Sequence, residues 1–231
     1  MKLDVRQCSL ITLSRVRGDD ETVATPGASV GMPSTAKGRD TRERLLTAAT
    51  TLFAERGYTR VTIRDITNAA GLSAGAFYRY FKDRRELMLV LMHQLTSEAF
   101  DFVRVPWDEN DPMLSVLQST QLYFKFYEAH RPLFAILVEL GQTDPAVADV
   151  WAASRRAFYS RIAHSLRRGL EVGRIRLDVD VDVAAELMGS MTEFYAFQRF
   201  VLSDGVIKQV SIDESARNLA NIWTDGLLRR P

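Results

Sequence analysis

The amino-acid sequence predicts an all-α protein of about nine helices, in which a small N-terminal helix-turn-helix domain precedes a larger helical domain. Three observations carry this prediction. Apolar residues recur three and four positions apart through most of the 231 residues. Capping and breaking residues stand where these periodic segments begin and end. Alternation typical of a strand is confined to residues 174–183.

The N-terminal stretch, residues 1–36, mixes Gly, Ser, Thr and Pro with scattered charges, so we expect a disordered arm. It has no apolar run of the about 7 to 15 residues that a secretory signal needs. The longest apolar runs, 87–92 and 133–138, are far short of the roughly 20 residues of a membrane span. The single cysteine, Cys8, can form no disulfide within the chain. We therefore expect a cytoplasmic protein without a membrane segment.

Residues 37–84 are expected to form a head of three helices. Helical spacing predicts the first over about 40–56, ended by Gly57. The second begins at the capping box of Thr62 and Asp65 and ends at a glycine turn. The third, about 74–81, begins after Ser73 as its N-cap. Two short helices joined by such a turn form a helix-turn-helix, whose second helix can enter the major groove of DNA.

The larger domain, residues 85–231, is delimited by proline, glycine and acidic caps. Asp83 and Glu86 look like the capping box of a fourth helix that begins at Arg84 and ends near Val103. Pro106 breaks this helix. The other helices are expected at about 112–129, 133–141 and 145–172, then from a cap at Asp180 or Asp182 to about 202, and at about 212–228. Asp111, Asp144 and Ser211 are the expected N-caps of the helices that follow them.

The basic residues are concentrated in the head. Between residues 37 and 87 there are eleven Lys and Arg and six Asp and Glu, a net charge of +5, which leaves −4 for the rest of a chain of net charge +1. A small basic segment attached to a mildly acidic body is typical of a nucleic-acid-binding module joined to another domain. A solvated, charged helix face is the alternative on charge alone.

The motif along residues 40–87 resembles the TetR family of bacterial transcriptional repressors. The family pattern includes F-x-x-x-G-Y, T-x-x-x-I-A and A-G-(V/L)-S-x-G-x-(L/F)-Y-x-(Y/H)-F-x-x-K-x-x-L. Here the chain reads FAERGYTRVTIRDITNAAGLSAGAFYRYFKDRREL. It departs from the pattern at Thr67, where Ala is usual, at Ala76, where Thr is common, and at Arg84, where Lys is usual.

The resemblance implies contacts to DNA. Thr62, Tyr78 and Arg84 would hold phosphates, and Arg64 is the first candidate to contact a guanine. The small residues that open the third helix would let the backbone approach base edges. The predicted DNA-binding set is Arg39, Thr62, Arg64, Ser73, Ala74, Gly75, Ala76, Tyr78, Arg79, Tyr80 and Arg84. The alternatives are a surface ion pair for Arg64, a half-buried core aromatic for Tyr78 and an idle basic tail for Arg39.

The resemblance also implies a twofold dimer in which the eighth and ninth helices pair with their copies, which suits a palindromic DNA site. The predicted interface residues are Met188, Met191, Tyr195, Ala216, Leu219, Ala220, Trp223 and Leu227. Both faces of the eighth helix are apolar, so the sequence leaves open which face would dimerise. A core helix buried within a monomer is the alternative reading.

Helices four to eight, by the same resemblance, enclose a cavity for a small effector of apolar character. Its candidate wall is aromatic: Tyr123, Phe126, Tyr127, Phe134, Trp151, Phe158 and Tyr195. Aromatic residues at helical spacing are also ordinary core residues. Binding of the effector would reposition the fourth helix and spread the two heads of the dimer, so that they no longer fit the operator.

The sequence offers little for catalysis or metal binding. Its histidines are far apart and it has no H-E-x-x-H pair, G-x-S-x-G elbow or P-loop. Asp178, Asp180 and Asp182 resemble the start of a calcium loop, but Val183 and Gly189 stand where Gly and Glu are required. We therefore predict no enzyme, metal or cofactor. An activator on the same fold and a ligand-binding or adaptor protein that does not bind DNA remain alternatives.

Overall fold

Helices form where the sequence places apolar residues at helical spacing. The computed structural model describes residues 33–102, 105, 108, 110–176 and 178–227, and within these ranges it contains nine α-helices and no β-strand. They are α1 Ala36–Arg56, α2 Ile63–Ala69, α3 Ala74–Phe77, α4 Arg84–Phe102, α5 Pro112–Ala129, α6 Arg131–Gly141, α7 Pro145–Glu171, α8 Val181–Ala196 and α9 Ile212–Leu227. The prediction of an all-α fold is confirmed. Cys8, Pro106 and the predicted arm up to residue 32 lie outside the described residues.

The core of the head is built on α1. This helix begins four residues earlier than predicted, because Thr35 caps it by accepting a hydrogen bond from the Gly38 amide (3.1 Å). Its inner face, Leu45, Leu46, Ala49, Leu52 and Phe53, is buried against Ile66, Phe77 and Phe81. Each large side chain so buried contributes about 1.5–3 kcal/mol. The orientation of α2 and α3 is therefore fixed by a buried core that continues into the larger domain.

The third helix is shorter than predicted. α3 ends at Phe77, and the amides of Tyr80 and Phe81 both bond to the Phe77 carbonyl (2.9 and 3.1 Å), so the chain turns instead of continuing to residue 81 as a helix. Phe77 and Phe81 still both enter the core. An apolar pair four positions apart suits a turn as well as a helix, which is why the sequence pattern could not distinguish them.

The larger domain is built from antiparallel packing. α7 and α8 run antiparallel, because Trp151 bonds to Glu193 near one end of the pair and Arg167 bonds to Asp182 near the other. α9 packs along α5. No helix in the described part of the chain is long and apolar enough to cross a membrane.

The eighth helix changes geometry before it ends. Asp180, one of the two predicted candidates, is the N-cap of α8, but from Phe197 to Leu202 the helix continues as a π-helical segment. Within this segment Arg199 is buried and donates to the Ser215 hydroxyl (2.9 Å) and to the Val210 carbonyl. These bonds hold the chain leading into α9 against the end of α8.

Candidate functional site

The surface formed by α2, α3 and the turn after α3 is the candidate DNA-binding surface. Its exposed residues include Thr62, Arg64, Asn68, Ser73, Ala74, Gly75, Tyr78 and Arg79. Seven of these belong to the set predicted from the sequence, and the structure brings them onto adjacent elements. Asn68, one turn after Arg64 on α2, was missed, although its helical spacing from Arg64 could have indicated it.

The start of α3 offers a flat surface to a ligand. Ser73 occupies the N-cap position but its side chain makes no capping bond, so the hydroxyl is not committed to the helix. Ala74 and Gly75 are exposed, and nothing lies within 4 Å of a Cβ added at Gly75. The absence of bulk lets a DNA backbone or base edge approach the helix closely.

Hydrogen bonds fix both ends of α2. Thr62 and Asp65 form the predicted capping box: the Thr62 amide donates to the Asp65 carboxylate (2.9 Å) and the Asp65 amide donates to the Thr62 hydroxyl (3.2 Å). The hydrogen bond from Thr62 lowers the pKa of Asp65. At the other end, Arg44 on α1 donates to the carbonyl of Ala70 (2.6 Å). The helix that carries Arg64 is therefore held at both ends.

Three of the residues predicted to contact DNA do not lie freely on this surface. Ala76 is buried at 4% exposure, because it is on the inner side of the single turn of α3. Tyr80 is half-buried and packs against the core. The guanidinium of Arg84 turns inward, donates to the Val61 carbonyl and lies 4.4 Å from the centre of the Tyr58 ring. Arg84 thus ties the start of α4 to the turn before α2.

The remaining predicted contact, Arg39, is exposed at the start of α1. Its Nη1 donates to the carbonyl of Ser34 (3.0 Å), so the side chain folds back on the segment that enters the helix. It lies beside the head but on a different element from α2 and α3.

A cavity of about 310 Å³ lies between α4, α5, α6, α7, α8 and α9. Four of the seven predicted aromatic residues border it: Tyr123, Phe134, Trp151 and Phe158. The other three, Phe126, Tyr127 and Tyr195, do not. Phe126 and Tyr127 are buried in the core, and the Tyr195 hydroxyl bonds to Ser215 (2.9 Å). Helical spacing could not separate these groups, because wall and core positions share the same period.

One end of the cavity combines aromatic rings with a carboxylate. The rings of Tyr123 and Phe158 are stacked with centroids 5.5 Å apart. Glu193 accepts a hydrogen bond from Trp151 Nε1 (2.8 Å). Burial raises the pKa of Glu193, and burial together with the nearby Glu193 raises the pKa of Tyr123 well above its usual value. The sequence did not indicate Glu193, since a lone carboxylate in a helix is ordinarily solvated.

Most of the predicted dimer residues are buried within the single chain, and one lies on an exposed face. Ala216, Leu219, Ala220 and Trp223 of α9 are buried within the chain, and Met188 of α8 is buried with them. They form core, because α9 covers its apolar stripe with α5 of the same chain. The side chain of Leu227 lies outside the described residues.

The exposed apolar surface is on the other face of α8. Val183, Leu187, Met191 and Phe194 are 50, 67, 40 and 60% exposed, and they follow helical spacing along one side. Ile222 of α9 is 61% exposed. Contiguous apolar surface of this kind on a folded chain marks an interaction surface. Met191 is the predicted interface residue that lies on it.

A bidentate ion pair joins the start of α4 to the start of α7. Arg85 donates from Nε and Nη2 to the two carboxylate oxygens of Asp144 (2.5 and 2.6 Å). Asp144 is also the N-cap of α7, accepting from the Ala146 amide (3.0 Å), and the hydrogen bond from Arg85 lowers its pKa. Because α7 lines the cavity and α4 follows the head directly, this pair connects the two candidate sites.

The head and body together define a helix-turn-helix regulator fold, and comparison with known proteins agrees. Residues 45–91 match the family described as "Bacterial regulatory proteins, tetR family". The HTH-type transcriptional repressor AcnR of Corynebacterium glutamicum is 24% identical over 202 residues, covering 84% of this chain and 95% of that protein. The HTH-type transcriptional repressor KstR2 of Rhodococcus jostii is 25% identical over 197 residues, covering 80% and 90%.

Solved structures share the fold. Salmonella enterica GusR superposes with a TM-score of 0.65 at 22% identity, covering 81% of this chain and 96% of that one. SmeT, the repressor of the Stenotrophomonas maltophilia multidrug efflux pump SmeDEF, superposes with a TM-score of 0.64 at 18% identity, covering 82% and 93%. The helix-turn-helix segment at residues 45–91 therefore matches the TetR family of bacterial regulators, and over most of its length the chain is similar to HTH-type transcriptional repressors.

Proposed function

We propose that the protein is a ligand-responsive transcriptional repressor that binds a palindromic DNA operator as a homodimer. The observation that carries the proposal is the surface of α2 and α3, where Arg64, Ser73, Gly75 and Tyr78 are exposed together on helices that pack on the buried core. A short helix with small residues at its start is the geometry that enters a major groove. The curated relatives are named as repressors.

Arg64 is proposed to contact a base, and Thr62 and Tyr78 to contact phosphates. The side chain of Arg64 is exposed and makes no hydrogen bond or ion pair within the described residues, so its planar guanidinium can bond to the acceptors of a guanine. Tyr78 is 58% exposed, and its ring packs edge-on against the buried ring of Phe77. This contact holds the ring in place while most of the side chain stays accessible to a phosphate. Phosphate contacts of this kind position the head, whereas the base contact gives sequence preference.

The dimer is proposed to form through the exposed apolar face of α8, Val183, Leu187, Met191 and Phe194, rather than through the α9 stripe predicted from the sequence. A twofold contact uses the same patch on both copies. It would place two heads on half-sites about one helical turn, 34–36 Å, apart.

The response to a ligand is proposed to run from the cavity to the head through α7 and α4. A ligand that displaces Trp151 would move α7, and the Arg85–Asp144 pair would carry that movement to the first turn of α4. Arg84, which holds the turn before α2, would then shift the head. Such couplings are typically about 1 to 3 kcal/mol, or roughly 5- to 150-fold in DNA affinity.

The proposed organisation assigns residues 1–36 to an arm, 37–84 to the DNA-binding head and 85–231 to the ligand-binding and dimerisation domain. A regulator of this kind acts on the chromosome and would therefore work in the cytoplasm. We propose no catalytic role, since the relatives are regulators rather than enzymes.

The experiment that tests the proposal is selection of bound duplexes from a random pool by the full-length protein. Enrichment of one inverted repeat, with half-sites about 10 base pairs apart, is the expected result. Enrichment of no sequence, or of a single half-site without its repeat, would contradict a dimeric operator-binding repressor.

A further inference from the structure

The side chains that border the cavity carry an excess of positive charge. Among the described residues of the lining, Glu193 is the one acidic side chain, and it already accepts hydrogen bonds from Trp151 and from the Tyr159 hydroxyl (3.5 Å). Four lining residues are basic: Arg155, Arg161, His164 and Arg168. The charge of the cavity therefore favours an anionic group over a cationic one.

The basic residues stand at the mouth of the cavity. Arg155, His164 and Arg168 border the cavity and are at the same time exposed to solvent, so they lie where the cavity opens. Arg161 is half-buried. Arg161 and Arg168 also interact with other groups of the chain, so a bound anion would share these two side chains with their present partners. An anion held there is only partly desolvated, which keeps the cost of burying its charge low.

A buried hydrogen-bond donor lies near the C-terminal end of α7. Trp223 borders the cavity at 9% exposure, and its Nε1 has no acceptor among the described residues. An unpaired buried donor costs about 1–3 kcal/mol, so an acceptor supplied by a ligand is favoured there. Trp223 packs in one cluster with Leu166, and Arg168 follows Leu166 by two residues on α7. A buried donor and a cation thus lie at the same end.

The opposite end of the cavity is lined mainly by aromatic and apolar side chains, and it also holds Glu193, hydrogen-bonded to Trp151, and Arg155, whose guanidinium lies 4.7 Å from the centre of the Trp151 ring. Tyr123, Phe134, Leu137 and Phe158 border it there. Along α7 the lining extends from Trp151 to Arg168, about 25 Å at 1.5 Å per residue. The cavity is therefore elongated and has different chemistry at its two ends.

We propose that this cavity binds an elongated amphipathic carboxylate, with its apolar body against the aromatic end and its carboxylate near Trp223 and Arg168. The inference rests on the proposed function, in that it takes the cavity as the effector site and specifies what that effector carries. It refines the apolar effector expected from the sequence by adding an anionic end.

The test compares three ligands of equal chain length, dodecanoate, dodecan-1-ol and dodecylammonium, by calorimetric titration of the full-length protein below the micelle concentration of each. Dodecanoate should bind at least about tenfold more tightly than the other two, a difference of about 1.4 kcal/mol. Equal binding of the alcohol would show that the charge is irrelevant. Tighter binding of the ammonium would show that the aromatic rings and Glu193 set the specificity. Either result overturns the proposal.

Two variants test where the carboxylate binds, and a third serves as the control. Arg168→Gln, at an exposed position, should reduce the preference for dodecanoate over dodecan-1-ol several-fold, and Trp223→Phe, which removes the N–H but keeps a ring, should weaken dodecanoate. Arg156→Gln is the matched control, because Arg156 lies on α7 outside the cavity lining. An unchanged preference in Arg168→Gln places the carboxylate elsewhere and overturns the proposal, even if Trp223→Phe fails to fold.

The outcome is separable from the proposed function, because ligand binding is measured without DNA. If dodecanoate is preferred but does not release the operator duplex, the ligand class stands and the ligand response of the repressor fails. If another cavity ligand releases the duplex while dodecanoate has no advantage over the alcohol, the ligand class fails alone.

Discussion

At the scale of single residues, the assignment of Arg64 and Tyr78 to different roles is testable. Arg64→Ala should relax the preference at one base pair of each half-site by about 1–3 kcal/mol. Tyr78→Phe should weaken binding to every duplex alike, by about 1.5–3 kcal/mol for one hydrogen bond to a charged group. Competition binding with singly substituted operators measures both. Equal losses on all duplexes for both variants would contradict the assignment.

The half-buried carboxyl of Glu193 gives a second prediction at this scale. Burial raises its pKa, so its charged form is disfavoured in the folded protein and the wild type loses stability as the pH rises through the titration of this group. Glu193→Gln keeps an acceptor for Trp151 and removes the charge.

The melting temperature of Glu193→Gln should therefore exceed that of the wild type by an amount that increases with pH between pH 4 and pH 8. Asp178→Asn is the control, because Asp178 is exposed and its pKa is lowered instead by Arg176. A difference that shrinks as the pH rises would show that the carboxylate of Glu193 stabilises the fold.

At the scale of helices, the exposed face of α8 predicts where the dimer forms. Leu187→Asp places a charge on a side chain that is 67% exposed in the single chain, so the protomer should fold while the dimer dissociates. Val172→Asp, on a residue 50% exposed at the end of α7, is the control. Sedimentation velocity should show monomers for the first and dimers for the second. A dimer that survives Leu187→Asp at micromolar concentration would contradict this interface.

The link between α4 and α7 gives the second prediction at this scale. Asp144→Asn keeps the cap of α7, since Asn caps as well as Asp, but removes the ion pair with Arg85. Because Arg85 is about half exposed, stability should change by less than about 1 kcal/mol. The ratio of operator affinities with and without a cavity ligand should fall toward one.

The control for this link is Asp178→Asn, which removes a surface ion pair with Arg176 that is remote from the head in sequence. The ratio should keep its wild-type value in that variant. A wild-type ratio in Asp144→Asn would mean that the ligand signal reaches the head by another route.

At the scale of the whole molecule, the helix caps could be predicted from the sequence, whereas the packing of the helices against one another could not. The caps at Asp111 and Asp144 were predicted, and Asp180 was one of two candidates for the cap of α8, because a cap involves only the next few residues. The face of α8 that is covered by α7 could not be predicted, because both faces are apolar and the close approach of Tyr159 to Gly189 depends on the fold.

The candidate sites divide in the same way. The DNA-binding set follows from a local motif and stays a prediction, whereas the burial of Ala76 and the inward turn of Arg84 could not be predicted, because they depend on the shortened α3 and on the turn at Val61. The wall of the cavity was half predicted from aromatic spacing. Trp223 and Glu193 also border the cavity, which the sequence could not show because it depends on how helices distant in sequence pack together.

The central claim is that the surface of α2 and α3 binds duplex DNA, and the salt dependence of binding to the selected inverted repeat tests it most directly. We expect log K to fall linearly with log salt concentration, with a slope of several units because each neutralised phosphate contributes about 0.9. Tyr78→Phe should weaken that binding. No association at low salt, or a slope near zero, would contradict the claim.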